Sequence, residues 1–194
     1  HWLHPKQGTD AALAFAFGHV ILREFHLDNP SQYFTDYCRQ YSDMPMLVRL
    51  DPRDDGSFVT GRYLRASDLD GALGEANNPE WKTLAFDENS GGLVVPHGSV
   101  GFRWGEKGRW NIEERDSQGR DTRLLLSLKD GHDGFVDVCF PYFGGVAHES
   151  WTSSPREDIL KRHIPTRKIK QADGSEVLVA SVYDLLLAQY GVDR

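Results

Sequence analysis

The sequence predicts an α+β protein: a short α/β-type helical part over residues 1–50, then a β-rich lobe with hairpins and a C-terminal helix over residues 51–194. Three observations carry this prediction. Between Ala11 and Leu22 the only strongly polar side chain is His19, a pattern for a helix buried nearly all round rather than along one stripe. From Asp51 onward the spacing of apolar residues shortens, and the turn clusters PRDDGS, ENSGG, RDSQGRD, KDGHDG and QADGS separate short runs. Near the end, VYDLLLAQY returns to helical spacing and stops at Gly191.

The elements follow in order. A first helix runs from Asp10 to about Phe25, with Leu13, Phe15, Phe17, Val20, Ile21 and Leu22 expected to be largely buried in a complete chain and partly bare in this piece of it. Gly18 in its interior costs about 1 kcal/mol relative to alanine, so close approach of another backbone is expected there. Asn29 and Pro30 read as the N-cap and first residue of a second helix that reaches Tyr41 and is closed off by Asp43 and Pro45. MLVRL reads as a strand. Further strands are expected at Phe58 to Leu64, Trp81 to Phe86, Gly92 to Val95, Arg123 to Leu128, Val136 to Phe140, Arg167 to Gln171 and Glu176 to Ser181. Asp173 and Gly174 suit the positive-φ turn of a hairpin joining the last two. The last helix spans Val182 to Tyr190.

The first helix places Gly8, Thr9 and Asp10 at its N-terminus, where unpaired N–H groups and a partial positive charge suit an anion or a capping oxygen. An aspartate there can also accept two parallel hydrogen bonds from the N1–H and N2–H2 edge of a guanine. Thr9 or Asp10 acting as an ordinary cap accounts for the same pattern.

Composition removes several function classes. A net charge of -7 argues against a general nucleic-acid binder, and the basic cluster Lys161, Arg162, Arg167, Lys168 and Lys170 reads as a solvated strand face. The sequence holds no signal-peptide pattern, membrane-spanning run or lipidation motif. Two cysteines, Cys38 and Cys139, are too few for an iron–sulfur cluster and are expected to be reduced, buried and small. No histidines have metal-ligand spacing, His148 with Glu149 does not make HExxH, and Glu113 and Glu114 are adjacent and so face opposite sides of a strand. Trp104 and Trp110, with Phe102 and Arg103, form either a stacking platform or a loop packed on the core. GxSxG, Walker and GxGxxG motifs are absent.

The run GTDAALAFAFGHVILREFHLDNPSQYFTDYCRQYSDMPMLVRL, continued through GRYLRASDL, NNPEWKTLAF, GSVGFRWGEKGRWN, FPYFGG and ADGSEVLVASVYDLLLAQYG, resembles the catalytic (alpha) chain of bacterial respiratory nitrate reductase. That family lies in the molybdopterin guanine dinucleotide (DMSO reductase) oxidoreductase superfamily. GTDxA is shared across the superfamily, whereas HLDNPSQYFTDY and GFRWGEKG are particular to the nitrate reductase branch. The likeness covers essentially the whole chain and is weakest over residues 116–133 and 146–156, which read as variable loops. Length agrees with a piece of a longer chain.

The resemblance implies reduction of nitrate to nitrite by oxygen-atom transfer at molybdenum held by two molybdopterin guanine dinucleotides, with electrons arriving through iron–sulfur clusters. It implies that the 4Fe-4S cysteines and the molybdenum ligand lie upstream of His1, and that this segment holds no catalytic or metal-binding residue. Gly8, Thr9 and Asp10 become cofactor-binding residues, with Gln7 and Lys6 as weaker candidates. The implied partners are the remainder of the alpha chain, an iron–sulfur beta subunit and a membrane cytochrome b gamma subunit, at the cytoplasmic face of the cell membrane. The isolated segment is expected to be inactive and to bind neither molybdenum nor iron. Two alternatives remain at this stage: a related molybdenum oxyanion reductase or nitrite-oxidising enzyme, and a non-catalytic interaction module using the Trp104 to Trp110 loop.

Overall fold

The apolar run at the N-terminus forms helix α1 (Asp10–Leu22), which continues as a π-helical turn over Arg23–Asp28, in a computed structural model that describes residues 6–98, 112–140 and 160–192. Because that turn uses the chain up to Asp28, helix α2 (Gln32–Tyr41) starts later than expected. Its cap is Ser31 rather than Asn29, the Ser31 Oγ accepting from the Phe34 N–H at 3.2 Å. Cys38 lies on the buried side of α2, and Tyr33, Tyr37 and Tyr41 form an exposed row on the other, with the Tyr37 and Tyr41 rings stacked.

Strands β1 (Leu47–Pro52), β2 (Phe58–Tyr63), β3 (Ala85–Phe86), β4 (Leu93–Val94), β5 (Pro96–Gly98), β6 (Ile112–Asp116), β7 (Gly134–Phe140), β8 (Leu160–Lys170) and β9 (Glu176–Ser181) precede helix α3 (Val182–Gln189). β1, β2, β7, β8 and β9 close into a barrel in that order. Every barrel pair is antiparallel except β2 with β7, which run parallel through Phe58–Val138 and Val59–Cys139. β3 with β4 and β5 with β6 form two small antiparallel pairs outside it.

Two expected strands are corrected. Trp81 to Phe86 shortens to β3 because Pro79–Trp81 winds into a 3-10 turn. Arg123 to Leu128 forms no ladder beyond a bridge from Leu124 to Asp87. The alternating burial of Leu124, Leu126 and Leu128 is real, but it comes from packing, and the backbone bonds go to single acceptors: Leu125 N–H to the Phe86 carbonyl and Leu128 N–H to the Asp184 carboxylate.

Alternation along β1 divides the core. Val48 and Leu50 join Val138, Phe140, Ile164 and Ala180 in a cluster drawn from all five barrel strands once Phe58 is added, which makes it the barrel lumen; Leu185 and Ala188 of α3 enter the same cluster. Leu47 points the other way, into a cluster with Leu64, Leu84, Phe86, Leu128 and Val179 that fastens residues 64–95 to the outside of the barrel. A third cluster, including Leu22, Cys38, Tyr183 and Leu187, joins the three helices.

Helix α1 is partly bare in this piece, as expected. Leu22 is buried and Leu13 and Phe15 are half-buried, but Phe17, Val20 and Ile21 are 51%, 47% and 45% exposed. The described residues supply packing partners on one flank only, so the apolar pattern around the rest of the helix has nothing to meet. Gly18 does mark a close approach, though of the Tyr190 ring rather than of a backbone.

Turn aspartates bracket the loops. Asp87 accepts from the N–H groups of Ser90 (2.9 Å) and Arg123 (2.8 Å), Asp116 from those of Gln118 (2.9 Å) and Arg120 (2.8 Å), and Asp68 from that of Arg65 (2.9 Å) and from the Arg62 guanidinium. Burial pushes each carboxyl up, and these donors outweigh it, holding all three below the ordinary carboxylate value. A depressed folded-state value stabilises the fold fully above the unfolded value of about 3.9, and that contribution is lost as pH falls through the lower folded values. Thermal melts should therefore be flat from about pH 7 to pH 5 and fall steeply below about pH 4. Asp87→Asn should blunt that fall, and an undiminished slope in that variant would remove Asp87 from the account.

Candidate functional site

The polar loop ahead of α1 folds as a tight turn. The Thr9 N–H and the Thr9 hydroxyl both donate to the Lys6 carbonyl, at 3.1 and 2.6 Å, and Gly8 between them takes φ +79°, a conformation that favours glycine. A Cβ on Gly8 would meet nothing within 4 Å, so the loop presents open space there. Thr9 stands at the N-cap position with its hydroxyl turned back to Lys6, and no side chain caps the helix. The simple capping role for Thr9 therefore lacks its hydrogen bond. Asp10 is the first helical residue, exposed, and its carboxylate has no hydrogen bond or ion pair among the described residues. Gly8, Thr9 and Asp10 thus come together at a helix end that keeps its N–H donors and partial positive charge.

This arrangement fits the nucleotide end of a guanine-containing cofactor. Such a group needs a paired acceptor for its N–H edge, backbone donors for phosphate, and room beside the chain, and the loop offers a free carboxylate, an uncapped helix start and the open flank of Gly8. Pro5 and the residues before it lie outside the described residues.

The comparisons with known proteins are decisive. No protein-family profile matches the chain. The alpha chains of respiratory nitrate reductases 2 and 1 of Escherichia coli K12 are 58% identical over 193 residues and 59% identical over 194, each alignment covering 100% of this chain and 15% of the relative. The chain belongs to the respiratory nitrate reductase alpha-chain family. It spans about 15% of the length of those curated relatives. More distantly, the perchlorate reductase subunit alpha of Dechloromonas aromatica strain RCB is 30% identical over 193 residues, covering 100% of this chain and 16% of that one.

Elsewhere in this alpha-chain segment the other candidates recede. Among the described residues no group of three His, Cys, Asp or Glu side chains is placed to hold a metal ion, and no helix is long and apolar enough to cross a membrane. Cys38 and Cys139 are buried and unpaired with each other, and burial pushes the Cys38 thiol up to about 11. Glu113 and Glu114 sit on β6 beside Arg115 and Arg123 at a polar cleft of about 790 Å³, and a cavity of about 240 Å³ lies between Lys129, His163 and Leu187. Neither includes the Gly8 to Asp10 loop. The described members of the basic cluster lie on β8, where Arg162 donates to the Ala188 carbonyl and Arg167 stacks 4.4 Å over the Phe86 ring. Trp104, Trp110, Phe102, Arg103, His148, Glu149, His1, His4 and residues 146–156 lie outside the described residues.

What the sequence alone did not reveal is how α1 is held. His19 Nδ1–H donates to the Tyr190 carbonyl at 2.8 Å, and the Phe15 and Tyr190 rings lie 4.9 Å apart. The isolated polar residue in an apolar helix was the available signal, because a half-buried histidine requires a partner.

Proposed function

We propose that this chain is a segment of a molybdenum-dependent, membrane-associated nitrate reductase catalytic subunit, in which Gly8, Thr9 and Asp10 cradle the guanine end of a molybdopterin guanine dinucleotide. The observation that carries this reading is the identity of 58% and 59% with two respiratory nitrate reductase alpha chains over this whole chain. When bound, the molybdenum group supplies the oxygen-atom transfer that turns nitrate into nitrite. This segment's residues hold and orient it: Gly8 leaves room for close approach, Thr9 fixes the turn through Lys6, and Asp10 accepts from the guanine edge, with Lys6 and Gln7 in supporting positions. The 4Fe-4S cluster, the molybdenum ligand and the contacts to an iron–sulfur beta subunit and a cytochrome b gamma subunit belong to the remainder of the complex, at the cytoplasmic membrane face.

Asp10→Asn in the full-length chain tests the reading. Asparagine keeps the shape but aims an NH2 group at a guanine N–H, a mismatch of about 1–3 kcal/mol. Molybdenum and guanine nucleotide per chain should fall correspondingly, with retention weakened roughly 5- to 150-fold. Melting temperature should change little, since the charge at the first helical position contributes only about 0.3–1 kcal/mol. The isolated segment sets the zero of the assay. Wild-type loading in a normally folded variant would reduce Asp10 to a helix-terminus charge.

A second reading, a related oxyanion reductase, draws on the likeness of this whole segment to 16% of the perchlorate reductase subunit alpha. Comparing turnover of nitrate with that of chlorate and perchlorate in the full-length enzyme separates the two.

A further inference from the structure

We infer that Gly18, His19 and Tyr190 form a latch that positions the Gly8 to Asp10 loop, an inference that rests on the cofactor reading of that loop. At its far end, α1 is anchored by Leu22 in the cluster with Tyr183 and Leu187. Nearer the loop, the Tyr190 ring fills the space a Gly18 Cβ would need and packs 4.9 Å from the Phe15 ring, while His19 donates to the Tyr190 carbonyl. Phe17, Val20 and Ile21 are exposed, so the described residues offer α1 no comparable support on that side.

Tyr190 is itself fixed. It caps α3 through its N–H to the Leu186 carbonyl at 3.0 Å, and Gly191 at φ +68° turns the chain away immediately after it. The other end of α3 is held by Ser181 and Asp184, so the latch ties the loop-bearing helix to the barrel. From Gly18 to Asp10 the helix extends roughly 12 Å, and a tilt of about 10° at the latch would move the loop by about 2 Å. A ligand held by paired hydrogen bonds does not tolerate that displacement. Helix propensity alone favours alanine at position 18, so the glycine is explained by the ring and not by the helix.

Gly18→Ala in the full-length alpha chain separates the two accounts of that glycine by exchange and loading. If only helix propensity matters, the variant is as stable as wild type or more so. If the latch operates, the added methyl expels the ring, deuterium uptake at residues 6–12 rises, and molybdenum and guanine nucleotide per chain drop several-fold while the barrel's melting temperature holds. Tyr190→Ala, which leaves the α1 sequence intact, should reproduce the loss. Tyr190→Phe retains ring and carbonyl, His19→Asn retains a donor at the same position, and both should behave as wild type. Unchanged uptake at residues 6–12 in both Gly18→Ala and Tyr190→Ala overturns the latch whatever the loading. Raised uptake in those variants alongside full loading in Asp10→Asn would leave the latch standing and overturn the cofactor reading instead.

Discussion

Asp184→Ala is expected to cost about 3–5 kcal/mol of folding free energy. Asp184 is 5% exposed, and its carboxylate accepts from the Ser127 hydroxyl at 2.6 Å, the Leu128 N–H at 2.8 Å and the Ser181 hydroxyl at 2.9 Å, while Ser181 in turn accepts from the Asp184 N–H at 3.0 Å. One side chain therefore starts α3, holds the Ser127–Leu128 segment and satisfies a main-chain donor that has no access to water. Each bond left unmade at a buried charged acceptor costs about 1–3 kcal/mol, and the two hydroxyls can rotate to recover part of it. At roughly 2–4 °C per kcal/mol for a chain of this size, the melting temperature should drop by about 6–20 °C. Asp184→Asn, which keeps one acceptor, should fall between. A drop below about 2 °C in Asp184→Ala would show that the segment is held by something else.

Leu47→Ala is the second large effect, at about 2–5 kcal/mol. Leu47 is fully buried on the outer face of β1, and its backbone is tied on both sides, N–H to the Leu84 carbonyl at 2.9 Å and carbonyl to the Leu64 N–H at 2.8 Å. Truncation leaves a void between two layers that these bonds prevent from closing together. Phe17→Ala on the exposed flank of α1 removes a larger side chain yet should change the stability of the isolated chain by less than about 0.5 kcal/mol. Urea titrations of the two variants check the contrast, and comparable losses would mean that α1 is covered in solution.

The α+β class was legible in the sequence because it rests on local signals. The α1 run, the Asp173–Gly174 hairpin with Gly174 at φ +85°, and the stop at Gly191 depend on neighbours a few residues away. Closure of the barrel was not legible, because β1 pairs with β9 and β2 with β7 across long separations that no periodicity encodes. Arg123 to Leu128 misled for a related reason: burial on alternate sides is a property of extended chain, whether or not a strand lies beside it. At the site, the turn of Lys6 to Asp10 was foreseeable from GTD, but Thr9 bonding backward to Lys6 was not, since a hydroxyl at a helix start has two acceptable partners within reach.

Among the described residues the parallel contact between β2 and β7 runs over two residue pairs, whereas β7 and β8 share seven. Among the described residues that seam is the shortest ladder of the barrel. If that seam parts, the remaining ladders stay intact and the molecule becomes an open antiparallel sheet in the order β2, β1, β9, β8, β7. Assembly follows the same asymmetry: the β8–β9 hairpin forms locally, β1 must find β9 across most of the chain, and the short parallel seam can form only after both strands are in place. Closure is thus expected to be the last step in building the barrel, and opening there would expose the lumen while the antiparallel ladders hold.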